Sequence, residues 1–289
     1  MMHFLPVGAR DGKKAYLCSM KTSEVIAYLD EVMKPEYQED YDNSGFLLGD
    51  SRSDYRGALV ALDMTEAVAD EAIAGGFNLI VTHHPFIFRG VRRLTDRDAA
   101  GRVAMRLIEH GICLYAAHTN LDNLPWGVNG ALAARLGLEG CRVLRKMQGG
   151  HQGVQDDSIG AGLVGELAEP TDAEPFLQKV KAVTGIPFIR TSQFPLLNSR
   201  FSIKKIAICG GSGADFIGDA LAAGADAYLT ADLKYHDFQR TDGRMLLADI
   251  GHYESEQFAK DVIFSVISEK FSNFACRISD VQQGIVSYI

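Results

Sequence analysis

The chain lacks most of the signals that announce a function. Its five cysteines, Cys18, Cys113, Cys141, Cys209 and Cys276, are scattered, with no CxxC pair. Cys113 and Cys209 fall inside apolar, strand-like runs, so buried reduced thiols are expected there. Positive charge is scarce: 29 Lys and Arg face 37 Asp and Glu, for a formal net charge of −8. That balance argues against nucleic acid or an anionic membrane held by bulk charge. It leaves room for an anionic small molecule, because a bound metal inverts the local field. No apolar run is long enough to span a bilayer. The start, Met1 to Val7, has no positive region followed by a long apolar core, so a signal peptide is not expected and the cytoplasm is. A Walker A loop, a nucleophile elbow and a full GxGxxG fingerprint are all missing, which sets aside three common enzyme classes.

What is present is ordinary globular material: 289 residues, 47% hydrophobic and 23% charged. Length suggests one or two domains. Residues 1–19 show no period and are expected to be a loose extension. From Thr22 a helix is expected, with Val25, Ile26, Leu29, Val32 and Met33 at helical spacing. Tyr41-Asp42-Asn43-Ser44-Gly45 is turn chemistry before a short strand, Phe46–Gly49. Strand and helix then alternate: strand 58–62, helix 65–74 capped by Thr65, strand 78–82, helix 98–110, strand 112–117. Such alternation means parallel sheet covered on both faces. Residues 125–204 are less patterned, with a helix expected over 131–136, a strand over 160–167, a helix over 173–183 and an extended stretch at 187–191. A loop is expected from Gly149-Gly150 to Ser158. Alternation resumes with strands 206–209, 227–230 and 245–250. Gly210-Gly211-Ser212-Gly213 is expected to be a tight turn without a ligand, leading into a helix over 214–223. A long helix over 255–270 and a last strand over 274–278 follow.

One stretch organises the rest. Leu79-Ile80-Val81-Thr82 is a buried strand, and His83-His84-Pro85 stands where it must stop, since Pro85 has no N–H for the ladder. Ligands of open α/β sheets bind just beyond the carboxyl ends of strands. A His-His pair there either caps the strand through hydrogen bonds or ligates a metal.

The grammar recurs. Residues 72–82 lie without a gap on residues 220–230, a constant shift of 148 (230 − 82), under which His84 falls on Asp232. A second strand end repeats too: His118-x-x-x-Asp122 follows Ala117, and His252-x-x-x-Glu256 follows Gly251. On a helix that spacing puts both side chains on one face, roughly 6 Å apart. The expectation is two related α/β lobes, with mostly parallel sheets, facing each other across a cleft. Four strand ends then carry polar groups: His83 and His84; His118 and Asp122; Asp232, Lys234 and His236; His252 and Glu256. Histidine mixed with carboxylate, without cysteine, suits zinc, iron, manganese, cobalt or nickel. Two ions bridged by a carboxylate would use so many donors better than one. Acid–base chemistry by His and Asp without metal is the competing reading.

Three motifs in order, Thr82–Phe88, Ala117–Asn123 and Asp249–Glu256, resemble the GTP cyclohydrolase I type 2 homologue family, also called the Ngg-one-interacting-factor-three-like family. Tyr41–Gly45 and Thr230–His236 resemble two further family signatures; Ala231 stands where the family usually has glycine. The resemblance runs from about Met20 to the C-terminus. It implies a dinuclear centre between two lobes, with His83, His84, Asp122, His252 and Glu256 as ligands and Glu256 as the bridge. His118 and Asp232 then become substrate-facing groups, or groups that orient the ligands. The resemblance also implies a toroidal hexamer. The lobes are expected at 20–124 and 205–289, joined by a layer at 125–204 that is too short for the extra domain of longer members. Metal-assisted hydrolysis of a nucleotide or related small molecule is the expected chemistry, with His118 or Asp232 moving protons. The alternative is a metal-binding scaffold, regulatory partner or metal chaperone without turnover.

Overall fold

β2 (Gly57–Ala61), β3 (Leu79–Thr82) and β4 (Cys113–Ala116) are buried at every position. Strands with no polar face belong in the middle of a sheet covered on both sides. In the computed structural model, which describes residues 20–147, 156–193, 201–281 and 284–289, they pair in parallel. β1 (Gly45–Leu48) adds antiparallel to β4, and β11 (Ala275–Ile278) adds parallel to β2. The first sheet therefore runs β1-β4-β3-β2-β11. Alternate residues face opposite cores. Val60, Leu79 and Val81 meet Val25, Leu29 and Met33 of α1 (Thr22–Met33). Leu59, Ile80 and Leu114 meet α2 (Glu66–Gly75) and α3 (Ala99–Glu109). Both of these helices start on a side-chain cap. Thr65 Oγ1 accepts from Val68 N–H and Asp98 Oδ1 from Gly101 N–H, satisfying donors that a first turn leaves open.

After β4 come α4 (Thr119–Asp122) and α5 (Val128–Leu136). The second sheet runs β5 (Leu138–Lys146), β6 (Gly160–Asp172), β8 (Ser202–Ser212), β9 (Ala227–Ala231), β10 (Leu246–Asp249), β7 (Arg190–Thr191). β8, β9 and β10 are parallel and the other pairs antiparallel, so this sheet is mixed. α5 and α6 (Ala173–Thr184) cover one face through Leu132, Leu136, Phe176 and Val180.

The duplication extends to strand order. β2-β3-β4 with β1 antiparallel at the β4 edge repeats as β8-β9-β10 with β7 antiparallel at the β10 edge. Register repeats as well: Ala58 pairs with Leu79 and Ile206 with Ala227, the same step in each (79 − 58 = 21; 227 − 206 = 21).

Several expectations change. The segment 125–204 supplies β5, β6 and β7 to the second sheet, not a separate layer. The expected lobe 205–289 parts company with the sheet order near its end. α9 (Ala259–Lys270) puts Ile263 and Ile267 into the first core, and β11 completes the first sheet. The physical reason is β2, a fully buried strand whose outer edge needs a partner. Gly210-Gly211-Ser212 ends β8 instead of forming a turn, and only a 3-10 turn, Ala214–Phe216, precedes α7 (Ile217–Ala222). The expected helix 255–270 breaks at Gln257–Phe258 into α8 (His252–Glu256) and α9. β5 had no expectation, because an edge strand with mostly exposed positions carries little apolar signal. The extension 1–19 and most of the loop after Gly149 lie outside the described residues. No helix among the described residues is long and apolar enough to cross a membrane.

Ile263→Ala tests where the C-terminal helix belongs. Ile263 is fully buried in the first core. Losing it should cost about 2–5 kcal/mol, read as a lower midpoint in urea unfolding. A midpoint within error of wild type would mean that α9 does not pack there.

Candidate metal centre

Each candidate histidine stands just past the carboxyl end of a parallel strand: His83 and His84 after β3, His118 after β4, His252 after β10. Both His-x3-carboxylate motifs form single helical turns. His118 precedes α4, which ends on Asp122; α8 runs from His252 to Glu256. The first sheet supplies His83, His84, His118 and Asp122, and the second supplies His252 and Glu256. They meet although His84 and Glu256 are 172 residues apart in sequence.

All four imidazoles are anchored at Nδ1. His83 Nδ1–H donates to the Ala117 carbonyl at 2.7 Å, and His84 to Asp63 Oδ1 at 2.6 Å. His118 donates to Asp42 Oδ1 at 2.8 Å, and His252 to Asp232 Oδ2 at 2.7 Å. An acceptor at Nδ1 fixes the ring orientation and turns Nε2 toward the cluster, the usual arrangement behind a ligating histidine.

Glu256 is buried, and its two oxygens face different partners. Oε2 lies 2.9 Å from His84 Nε2 and 3.0 Å from His252 Nε2. Oε1 lies 3.8 Å from His83 Nε2. The backbone makes room for it at Gly210 and Gly211. A Cβ on Gly211 would come 2.1 Å from Oε1, and Gly211 has φ +61, where a side chain is strained. The Gly211 N–H donates to Ser255 Oγ and the Gly210 N–H to Asn129 Oδ1, which holds this backbone in place.

Donor atoms form three groups whose members lie within 4.8 Å of one another: His84, His252 and Glu256; His83, Asp122 and Glu256; His83, His84 and His118. Two donors each about 2.0–2.2 Å from one ion stand roughly 3–3.5 Å apart, close to the 2.9–3.8 Å found between these atoms. His83 Nε2 and Asp122 Oδ1 carry the fit further. Both are buried without a hydrogen-bond partner, 3.6 Å from each other. A lone pair facing a carboxylate oxygen needs a positive centre between them. These residues therefore fit a metal ion.

The electrostatics agree. Burial holds His83 below the usual imidazole range, so its nitrogen is bare at neutral pH. Burial works against charge on His84 also, but Asp63 and Glu256 overcome it and push it up to about 10. Glu256 is the main cause that raises His252 to about 9, with Asp232 adding to it. Burial and the Glu256 charge raise Asp122 well above the carboxylate range. Glu256 goes the other way: although burial opposes it, three imidazoles hold it well below.

His118 joins the cluster more closely than a peripheral group would, in one donor group with His83 and His84. Asp232 stands one step back, with the His252 ring between its carboxylate and the cluster, and its own backbone is left-handed at φ +56. Lys234 and His236 do not join. Lys234 starts a 3-10 turn by donating its N–H to Asp237, and His236 stacks edge-on with Tyr235 at the surface. Two partners went unnoticed as site residues in the sequence. Asp63 follows the β2 strand end as the histidines follow β3, and that position was its signal. Asp42 sits in a segment that reads as turn chemistry; it bonds His118, Thr119 and Ser44 at once. Two openings reach the cluster. A cavity of about 250 Å³ is lined by His118, Asp122, His252 and Glu256 among others. One of about 520 Å³ is lined by His84, His118, Asp232 and His252 among others.

Fold and centre together define a two-lobed α/β protein with a His/carboxylate cluster, able to hold metal, where the strand ends of two sheets meet. The chain belongs to the Duf34/NIF3 (NGG1p interacting factor 3) family, whose model matches residues 20–284. It is 36% identical over 240 residues to a Clostridium perfringens protein named GTP cyclohydrolase 1 type 2 homolog, covering 82% of this chain and 87% of that one. A Streptococcus pneumoniae protein of the same name is 33% identical over 245 residues, covering 84% and 89%. The crystal structure of a Staphylococcus aureus hypothetical protein superposes with a TM-score of 0.83 at 31% identity, over 93% of this chain and 99% of that one.

In metal-free protein the raised imidazoles have a defined signature. Their folded values exceed the unfolded value near 6.5, so the stability they contribute is complete below that pH and is lost as pH rises through about 9 to 10. Glu256→Gln should bring both titrations down toward the unfolded value, measured by NMR of the ring protons. Unchanged titrations would show that Glu256 does not charge these rings.

Proposed function

We propose that this chain is a dinuclear metal protein that acts as a metal-dependent hydrolase on a small molecule, a nucleotide or a relative of one. The supporting observation is that two three-donor sets, His84-His252-Glu256 and His83-Asp122-Glu256, share one carboxylate whose oxygens face different imidazoles. His83, His84, Asp122, His252 and Glu256 would hold the ions, with Glu256 as the bridge. Histidine and carboxylate donors without cysteine suit zinc, iron, manganese, cobalt or nickel. Ions in such a site supply an activated water and polarise the electrophile.

The rest falls to the chain. His118, held at Nδ1 by Asp42, turns Nε2 toward both cavities and would take a proton there. Asp232 acts through His252, holding that ring in the tautomer that offers Nε2. A non-catalytic metal scaffold or chaperone would need the same locked ligands, and the two readings part at His118, whose loss in a hydrolase should stop turnover and leave the metal in place. Family membership supports a homohexameric ring, the cytoplasm is the place this reading assigns it, and the net charge of −8 speaks against nucleic acid or an anionic membrane held by bulk charge.

Elemental analysis of protein purified without chelator should give two transition-metal ions per chain, and light scattering a hexamer. Glu256→Ala should remove both ions together and Asp122→Ala one more than the other. A value of zero or one after reloading counts against a dinuclear centre, and a monomer against the ring. For turnover, His118→Ala should keep metal and assembly while hydrolysis of a substrate found by screening nucleotides and phosphoesters falls roughly 10²–10⁴-fold. Asp232→Asn should also lose most turnover while keeping most metal, and in metal-free protein the His252 titration should move down. Full activity in His118→Ala would leave the chemistry to the ions alone.

A further inference from the structure

Two large aromatic side chains stay exposed at the mouth of the centre. Tyr41, before β1, is 67% exposed, and Phe88, after β3, is 41% exposed. They come from segments far apart in sequence, yet their ring centroids are 6.5 Å apart with the planes tilted by 47°. The arrangement is built. Asn43 Nδ2 donates to the Ile87 carbonyl and ties the two segments together. Asp42, next to Tyr41, holds His118 and Thr119, and the His118 ring meets Phe88 edge-on at 6.3 Å. Tyr41 lines the 250 Å³ cavity and Phe88 the 520 Å³ one, and His118 lines both. Each opening thus has one of the two rings in its wall, and both share His118.

Water-exposed aromatic faces beside polar donors are what a planar ligand requires: a face to stack on, and a coordinating group held at fixed reach. A ring inserted between two others needs roughly 7 Å, two contacts of about 3.5 Å each. The present centroid spacing of 6.5 Å falls just short, so a ligand would stack on one of the two exposed faces, or between them once the side chains move apart.

We propose that Tyr41 and Phe88 form an aromatic lip that selects a planar, ring-bearing substrate and stacks its ring while an oxygen donor of the same molecule reaches the cluster beside His118. This deepens the hydrolase reading and rests on it for the donor contact; the stacking stands by itself.

The test compares 2-naphthoate with decahydro-2-naphthoate on metal-loaded protein by equilibrium dialysis. Both acids carry one carboxylate on a bicyclic frame, but only the first is flat. Wild type should prefer the flat acid by at least about fivefold. Tyr41→Leu and Phe88→Leu keep apolar bulk and should each bring the ratio below about twofold, with metal content unchanged; Tyr41→Phe should restore it. Equal binding of the two acids by wild type overturns the lip. So does a ratio untouched by either leucine variant, including the case where those variants change the size of the assembly instead, which would make the lip a contact between copies. Samples that hold no ions would weaken both acids alike and count against the hydrolase reading alone, while the ratio still decides the lip.

Discussion

Glu256 is only 3% exposed, yet it is surrounded by imidazoles from both sheets. A buried carboxylate loses its hydration and must recover that cost from fixed partners. Here the partners are His83 and His84 from the first sheet and His252 from its own helical turn. The requirement acts on the whole chain. The sheets must bring β3 and β10 to one place, and the β8 backbone must yield at Gly210-Gly211 so that the carboxylate can lie against it. Asp122 then shares the pocket as a second carboxyl, and its raised proton affinity reflects burial first and repulsion from Glu256 second, both of which a cation would offset.

Around that carboxylate the protein builds rigidity from the far side of each ring. Every imidazole is held at Nδ1, by one backbone carbonyl and three aspartates. The aspartates come from three places: Asp63 after β2, Asp42 before β1, Asp232 after β9. Neighbouring strands thus supply each other's imidazole and its support, which keeps Nε2 aimed inward by the protein alone. Asp232 adopts a left-handed backbone to reach His252, a conformation that costs about 1–3 kcal/mol in a non-glycine residue.

The duplicated strand order explains why such supports lie to hand. β2-β3-β4 and β8-β9-β10 carry the same parallel register and the same antiparallel flank, so corresponding strand ends face corresponding problems. The halves are not copies in use. One puts two histidines after its central strand, and the other an aspartate that serves a histidine on the next strand. The C-terminal helix and strand break the symmetry by returning to the first sheet, so the second lobe's last segment packs with the first.

The sequence by itself determined the local grammar. Apolar runs at Leu79–Thr82 and Leu246–Asp249 could only be buried strands, Thr65 and Asp98 could only start helices, and both His-x3-carboxylate spacings had to place two donors on one helical face. All of these depend on neighbours within a few residues, which the chain carries in its order. What the tertiary structure decided depends on distance in space. That β11 pairs with β2 follows from an open edge that no local pattern announces. That Gly210-Gly211 is a cradle and not a turn follows from where Glu256 lands. Lys234 and His236 had the right chemistry at the right strand end and still point away, while Asp42 looked like a turn residue, Asp63 went unnoticed, and both hold the rings. A side chain's role in this centre is fixed by which atom of which imidazole it meets, and that meeting exists only once strand ends more than a hundred residues apart in sequence, such as those carrying His84 and Glu256, have packed together.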